Sequence, residues 1–315
     1  MFRSLGQSGL QVSLVGLGCN NFGMRCDEAQ TADIIHAAID HGITLFDTAD
    51  VYGGRGKSEE LMGKALKGRR SQVILATKFA APMGEGPHTS GGSRKYIMSA
   101  VEDSLRRLET DYIDLYQMHR PDPATPIEET IRALDDLITA GKVRYIGNSN
   151  FSGWQIADAD WVAKELGANR FVSAQNEWSM VKRSVEREII PACERFGLGM
   201  LPFFPLASGL LTGKYRRGEA PAEGTRLQSW GARAQGILSD QNFDVVEKLD
   251  TYATERGHTI LELAFSWLAA FPVVSSVIAG ATSTEQVAQN ARAADWVLTA
   301  AEKSEVDAIL AGTAA

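Results

Sequence analysis

Short apolar runs alternate along this chain with longer stretches in which apolar residues return every third or fourth position. The short runs, Val12 to Leu17, Thr44 to Phe46, Val73 to Thr77, Ile113 to Met118, Val143 to Ile146, Phe171 to Ala174, Gly199 to Leu201 and Val274 to Ile278, predict strands. Between them, Ile97, Val101, Leu105 and Leu108, and likewise Ile127, Ile131, Leu134 and Ile138, place apolar side chains on one face of a helix. Ser93 and Ser152 stand where such helices start, and Gly141, Gly167 and Gly197 where they stop. Strand alternating with amphipathic helix implies a parallel sheet, and eight strands are enough to close an α/β (β/α)8 TIM barrel.

Two segments fall outside the alternation. Phe2 to Val12, with Gly6 to Gly9 at its centre, predicts a short β-hairpin that plugs the amino-terminal end of the barrel. The stretch 212–236 is rich in Gly, Arg and Pro without a period, which predicts a long rim loop after the seventh strand, and extra helices follow toward the carboxyl terminus. Barrels of this type fold as one unit, so the 315 residues predict a single domain, 1–315.

Composition narrows the classes of function. The net charge of -7 is scattered, with no basic run to hold nucleic acid or a polybasic patch for a membrane surface. No stretch approaches the roughly 18 apolar residues of a membrane span, and the start lacks the apolar core of a leader, so a cytoplasmic protein is expected. Cys19, Cys26 and Cys193 form neither a CxxC pair nor a ligand cluster, and reduced thiols follow, with no metal site.

The candidate chemistry stands at the strand ends. Leu45-Phe46 delivers Asp47 and, five residues later, Tyr52; Val73 to Thr77 runs into Lys78; Ile113 to Met118 runs into His119. On parallel neighbours of one barrel, all four side chains meet at the carboxyl-terminal rim, where such barrels carry their chemistry. A lone tyrosine or lysine after a strand is ordinarily structural, and it is the set that points to catalysis. A phenol with a pKa of about 10 keeps its proton near neutral pH. An ammonium about 4 Å away lowers that pKa, contributing about 4 kcal/mol at an effective dielectric of about 20. Lys78 is therefore expected to tune Tyr52, Asp47 to pair with Lys78, and a neutral His119 to orient a substrate oxygen. Asp50, in the same motif, reads as a polar rim residue or helix-entry group. A metal-dependent hydrolase built on Asp47 and His119 lacks ligands, because none of the other histidines, His36, His41, His88 and His258, falls at a predicted strand end.

Asp47 with Tyr52, Ala76-Thr77-Lys78-Phe79 and Gln117-Met118-His119-Arg120 resemble the catalytic tetrad of the aldo-keto reductases. The resemblance continues in order through Gly147 to Phe151, Gln175-Asn176-Glu177, Ser208 to Lys214 and Ile278 to Thr282, and so spans nearly the whole chain. Within that family the chain resembles the bacterial-type branch that also includes potassium-channel beta subunits.

That resemblance implies reduction of aldehydes or ketones to alcohols by hydride transfer from NADPH, with Tyr52 as proton donor. It assigns nicotinamide contacts to Ser149, Asn150, Gln175 and Phe203, and further cofactor contacts to Gly18 and Asp47. Leu206, Ser208, Leu210 and Lys214 match the pyrophosphate clamp, and Gly280, Thr282, Gln286 and Asn290 the adenosine 2'-phosphate and adenine segment. Gly16-Leu17-Gly18 has the outline of a Rossmann fingerprint, but Asn21 stands where its third glycine belongs. Two departures bear on the cofactor. Phe203-Phe204-Pro205-Leu206 lacks the hydroxyl residue that many relatives carry before Pro, and Gln286 stands where many carry a basic residue, leaving NAD(H) open beside NADP(H). Lys214, Arg216 or Arg217 is the expected source of the missing charge. Phe22, Phe79, Trp178 and Trp230 are the aromatic candidates for the substrate pocket, which suits a small carbonyl compound. The alternative function is a nicotinamide-nucleotide-binding regulatory or scaffold subunit with little turnover. The sequence leaves monomer and homo-oligomer equally open.

Overall fold

The computed structural model describes residues 1–223 and 225–311. Phe2–Ser4 (β1) pairs antiparallel with Gln11–Ser13 (β2) as the expected hairpin. Eight parallel strands follow, Val15–Gly18 (β3), Leu45–Asp47 (β4), Ile74–Phe79 (β5), Ile113–Met118 (β6), Val143–Ser149 (β7), Ser173–Gln175 (β8), Gly199–Met200 (β9) and Val277–Gly280 (β10). Their order is β10, then β3 through β9, so each strand lies beside its neighbour in sequence. The two edges approach one another: the Met200 amide donates to the Val273 carbonyl (2.7 Å) and the Ile278 amide to the Pro202 carbonyl (3.0 Å). The result is an α/β, TIM-barrel-like fold.

The helices are Glu28–Asp40 (α1), the short turn Tyr52–Arg55 (α2), Lys57–Ala65 (α3), Arg94–Arg107 (α4), Ile127–Thr139 (α5), Gly153–Leu166 (α6), Ile189–Phe196 (α7), Arg226–Trp230 (α8), Asp240–Thr254 (α9), Ile260–Ala269 (α10), Thr284–Arg292 (α11) and Ala300–Ala311 (α12). Ser93 caps α4 by accepting from the Tyr96 amide, Ser152 and Gln155 form a capping box at α6, and Gly167 and Gly197 close α6 and α7 in the left-handed region. The apolar stripes face inward: Ile97 and Val101 of α4, and Ile131 and Leu134 of α5, are buried against the outer face of the sheet.

Strand parity separates two cores. Phe46, Leu75, Phe79, Tyr116 and Met118 point outward into the layer between sheet and helices. Leu45, Ala76, Leu115, Leu201 and Ile278 point inward and meet Leu5 and Val12 of the hairpin. Arg3 fastens the hairpin by donating to the carbonyls of Ala269 (2.6 Å) and Val274 (2.8 Å). At Gly6, φ is +57° and a Cβ would stand 2.5–2.6 Å from backbone atoms of Gly197, Gly199 and Val172, so only glycine lets the plug sit this close.

Several boundaries differ from expectation by one to three residues, as in β7, which runs on to Ser149, and β8, which starts at Ser173; three differences have a structural cause. The run Val12 to Leu17 is two elements: β2 ends at Ser13, whose amide donates to Thr44 Oγ1 (3.0 Å), and β3 begins at Val15. The last strand starts later than Val274, because the Val273 carbonyl and the Ser275 amide bond to Met200 of β9 before the ladder with β3 begins at Val277. The segment read as a loop from 212 to 236, of which residue 224 lies outside the described residues, contains α8. Thr225 caps that helix and Leu227 is buried, a single turn too short to show a period. Residues 312–315 of the expected 1–315 unit also lie outside the described residues. Among the described residues no helix is long and apolar enough to cross a membrane. Cys19, Cys26 and Cys193 are buried and unpaired.

Candidate active site

The site begins with the parity of three strands. Leu45, Ala76 and Leu115 fill the barrel, so Asp47, Lys78 and Gln117, each two residues further on, point the same way one layer higher. The register sets Asp47 beside Ala76 and Lys78 beside Gln117. Lys78 Nζ donates to Asp47 Oδ2 (2.6 Å) and to the Thr48 carbonyl (2.8 Å), with the lysine side chain fully buried. Asp47 Oδ1 accepts from Gln175 Nε2 (2.8 Å) and Gln117 Nε2 (3.1 Å). A buried carboxylate is costly unless paired and hydrogen-bonded, and this one is both.

Tyr52 opens the turn after β4, where Gly53 and Gly54 take positive φ and carry the chain back toward α3. Its ring lies 5.1 Å from Lys78 Nζ and edge-on to His119 at 5.7 Å. Burial pushes the Tyr52 phenol above its ordinary value, Asp47 adds to this, and Lys78 opposes it without winning. The expected tuning by Lys78 thus exists, but desolvation outweighs it and the phenol is held firmly protonated. Burial alone would pull the Lys78 ammonium down, yet Asp47 and Tyr52 reverse this and the lysine stays charged.

His119 is fixed through its backbone, its amide donating to the Phe79 carbonyl (2.9 Å) and its carbonyl accepting from Asn150 Nδ2 (2.9 Å). Its Nδ1 is buried without a partner. Burial first, then Lys78 and Arg120, pulls the imidazole down to about 3, so it is neutral. This sets a pH dependence. In the unfolded chain the imidazole protonates near pH 6.5, whereas in the folded chain it resists protonation until about pH 3, so acid favours the unfolded chain through this window. Stability from His119 is complete above pH 6.5 and lost as pH falls toward 3. Denaturant unfolding of wild type and His119→Gln from pH 7.5 to 4.5 should show a gap narrowing by a few kcal/mol, about 1.4 per pKa unit traversed; parallel curves would contradict a buried neutral imidazole.

Asp47, Tyr52 and His119 form one end of a cleft of about 600 Å³. Its walls bring together the other residues expected to contact a cofactor: Gly18, Ser149, Asn150, Gln175, Phe203, Leu206, Ser208, Lys214, Gly280, Thr282, Gln286 and Asn290. Leu210 is the exception and packs fully buried in the core. Asn150, Phe204 and Ser208, all lining the cleft, hold positive φ without being glycine, as does the buried Ala207. Ser149 Oγ donates to the Gln175 carbonyl (2.9 Å) and accepts from Asn150 Nδ2 (3.0 Å). At the far end, Gln286 Oε1 accepts from the amide (2.8 Å) and hydroxyl (3.2 Å) of Thr282, and Ser283 caps α11. Lys214 lines the cleft. Arg217 does not: it is bound to Asp240, Asp244 and Glu247 on α9. Arg216 is exposed and also lies off the cleft.

The aromatic candidates divide differently. Phe22 is fully buried in the outer core, and Phe79 packs on Tyr116 at 4.8 Å. Trp178 lies among Trp267 and Phe271, with its indole N–H on Glu186 (3.0 Å). None of these three reaches the cleft; Trp230 stands edge-on to Phe204, which does line it. Parity forecasts the placement of Phe79, since the neighbour of an inward lysine must point outward. Sequence reasoning passed over Asn20, Asn21, Arg25, Leu261 and Gln289, which also line the cleft. Gln289 had a signal, standing three residues after Gln286 on one helix face. Asp50 is no rim residue but a buried one, between the sheet and α4. Among the described residues no group of three or more His, Cys, Asp or Glu gathers to hold a metal ion.

Residues 14–311 match the model of the aldo/keto reductase family. A rice (Oryza sativa subsp. japonica) protein described as a probable voltage-gated potassium channel subunit beta is 39% identical over 302 residues, covering 94% of this chain and 92% of its own. The Bacillus subtilis aldo-keto reductase YhdN is 36% identical, covering 99% and 94%. An L-glyceraldehyde 3-phosphate reductase of Escherichia coli O157:H7 is 34% identical, covering 93% and 87%.

Proposed function

This chain belongs to the aldo/keto reductase family, and on that premise we propose that it is an oxidoreductase reducing aldehydes or ketones to alcohols with NADPH, with Tyr52 as the proton donor. The observation that carries the proposal is the buried Asp47–Lys78 pair beneath a protonated Tyr52, with a neutral His119 edge-on to it at the end of a long cleft.

The cleft's residues fit a nicotinamide dinucleotide. Near the tetrad, Ser149, Asn150 and Gln175 offer amide and hydroxyl groups for a carboxamide, and Phe203 an aromatic face. Further along, Lys214 and the amino-terminal end of α11 suit phosphate. Delivery of a hydride to the carbonyl carbon is the chemistry such a cofactor supplies when bound.

The chain's own residues do the rest. His119 lines the cleft beside Tyr52, and its neutral ring would hydrogen-bond the substrate oxygen and fix its orientation. As negative charge grows on that oxygen, Tyr52 gives up its phenolic proton to it, since an alkoxide is a stronger base than a phenolate. Lys78 then faces the phenolate it is placed to stabilise, and Asp47 keeps the ammonium charged and in position. Burial of Asp47 and Lys78 beneath the half-buried Tyr52 and His119 keeps water from the ion pair and strengthens it.

Oxidation of NADPH and of NADH, followed by absorbance against a panel of aldehydes and ketones, tests the proposal. The panel includes L-glyceraldehyde 3-phosphate, the compound in the name of the E. coli relative. Turnover with NADPH on at least one carbonyl is expected. Tight NADPH binding without turnover on any would overturn the reading in favour of a nucleotide-binding regulatory subunit.

A further inference from the structure

Asp50 lies three residues beyond Asp47 and two before Tyr52, on the helix side of the barrel wall, with 1% of its surface exposed. Its amide donates to the carbonyl of Lys78 (3.1 Å), joining the segment that carries Tyr52 to the strand that carries the lysine. Its Oδ2 accepts from Tyr96 Oη (3.2 Å) on α4, and the same hydroxyl stands 3.4 Å from the Ala81 carbonyl just past β5. One side-chain contact therefore holds together the turn leading to Tyr52, the chain leaving Lys78, and a helix.

The surroundings make a carboxyl an unfavourable choice on stability grounds alone. Asp50 Oδ1 is buried without a partner. From α3 it faces Glu59, itself held by Arg107 Nε (2.7 Å) and Thr77 Oγ1 (2.6 Å). From α4 it faces Tyr96 and Arg107, with Asp103 beyond them, and from β6 Tyr116, whose hydroxyl is also unpartnered. Burial, and after it Glu59, raises the Asp50 carboxyl to about 7. A neutral, well-packed side chain would serve the fold better, and stability given up beside a site is a mark of function.

We propose that Asp50 is a positioning residue: with Tyr96 and the Lys78 carbonyl it fixes the turn that sets the Tyr52 hydroxyl against Lys78 and His119. The proposal rests on the reductase reading for its kinetic effect, but not for its geometry.

Wild type, Asp50→Ala, Asp50→Asn and Tyr96→Phe are compared with NADPH and 4-nitrobenzaldehyde. Misplacement of Tyr52 should lower kcat in Asp50→Ala and Tyr96→Phe by up to about 100-fold. The dissociation constant for NADPH, read from its fluorescence, should stay within about twofold, since neither side chain lines the cleft, and the melting temperature should not fall in proportion to kcat. Asp50→Asn, which still accepts from Tyr96, should recover part of the loss. In parallel, the Tyr52 Cζ resonance of 13C-tyrosine-labelled protein, assigned with Tyr52→Phe, should shift in Asp50→Ala and return toward wild type in Asp50→Asn. A kcat within twofold of wild type in both Asp50→Ala and Tyr96→Phe, or an unmoved Tyr52 resonance, overturns the proposal. A wild type inactive on every carbonyl overturns the reductase reading instead, and the resonance alone then decides the role of Asp50.

Discussion

Tyr52→Phe should lower kcat for carbonyl reduction by about 10²–10⁴-fold, the range for loss of a positioned general acid. The ring stays and only the hydroxyl goes, so the edge contact with His119 and the cleft wall are preserved. NADPH affinity, measured by fluorescence titration, should therefore change little, and the loss should fall on kcat rather than on KM for cofactor. The pH profile sharpens the test. Desolvation raises the Tyr52 phenol above its usual value, so the donor is protonated across the neutral range and kcat in the reducing direction should be level there until alkali removes the proton. A fall near pH 7 would require the lysine to have won over burial, against the balance found here.

Lys78→Met should have the largest effect on the fold. It leaves the Asp47 carboxylate, 4% exposed, without its ammonium, and breaking a buried pair by removing one partner costs about 3–5 kcal/mol. Gln117 and Gln175 still donate to Asp47 Oδ1, which places the expected loss at the low end of that range. Adding Asp47→Asn removes the orphaned charge, so the double variant should regain most of the stability in urea unfolding while remaining without turnover. Equal stability of the single and double variants would mean that the buried charge was never the source of the cost.

Much of this was legible because parity and position are written in the chain. Lys78, Asp47 and His119 each end an apolar run, and a parallel barrel leaves one place for such ends to meet. The hairpin, the caps at Ser93 and Ser152 and the stops at Gly167 and Gly197 depend on neighbours a few residues away, and they were equally readable. What was not legible depends on distant partners. Whether burial or Lys78 governs Tyr52 is decided by packing from several strands. Asp50 looks like any polar residue of a turn until Tyr96, 46 positions later, closes over it. Trp178 resembles a rim aromatic until Trp267 and Phe271 cover it, and Arg217 a phosphate ligand until three acids of α9 claim it. Strand Val12 to Leu17 was misjudged because an apolar run does not record where one sheet hands over to another.

The hairpin has a consequence for how the protein is made. Arg3 grips carbonyls at Ala269, Phe271 and Val274, so the contacts that seat the first strands lie 266 to 271 positions away along the chain. At a synthesis rate of about 5–20 residues per second, this hairpin waits on the order of tens of seconds before those partners leave the ribosome. Leu5 and Val12 meet Leu45, Ala76 and Leu115 early but wait that long for Ile278, so the seat of the hairpin is completed only when the far end of the chain arrives.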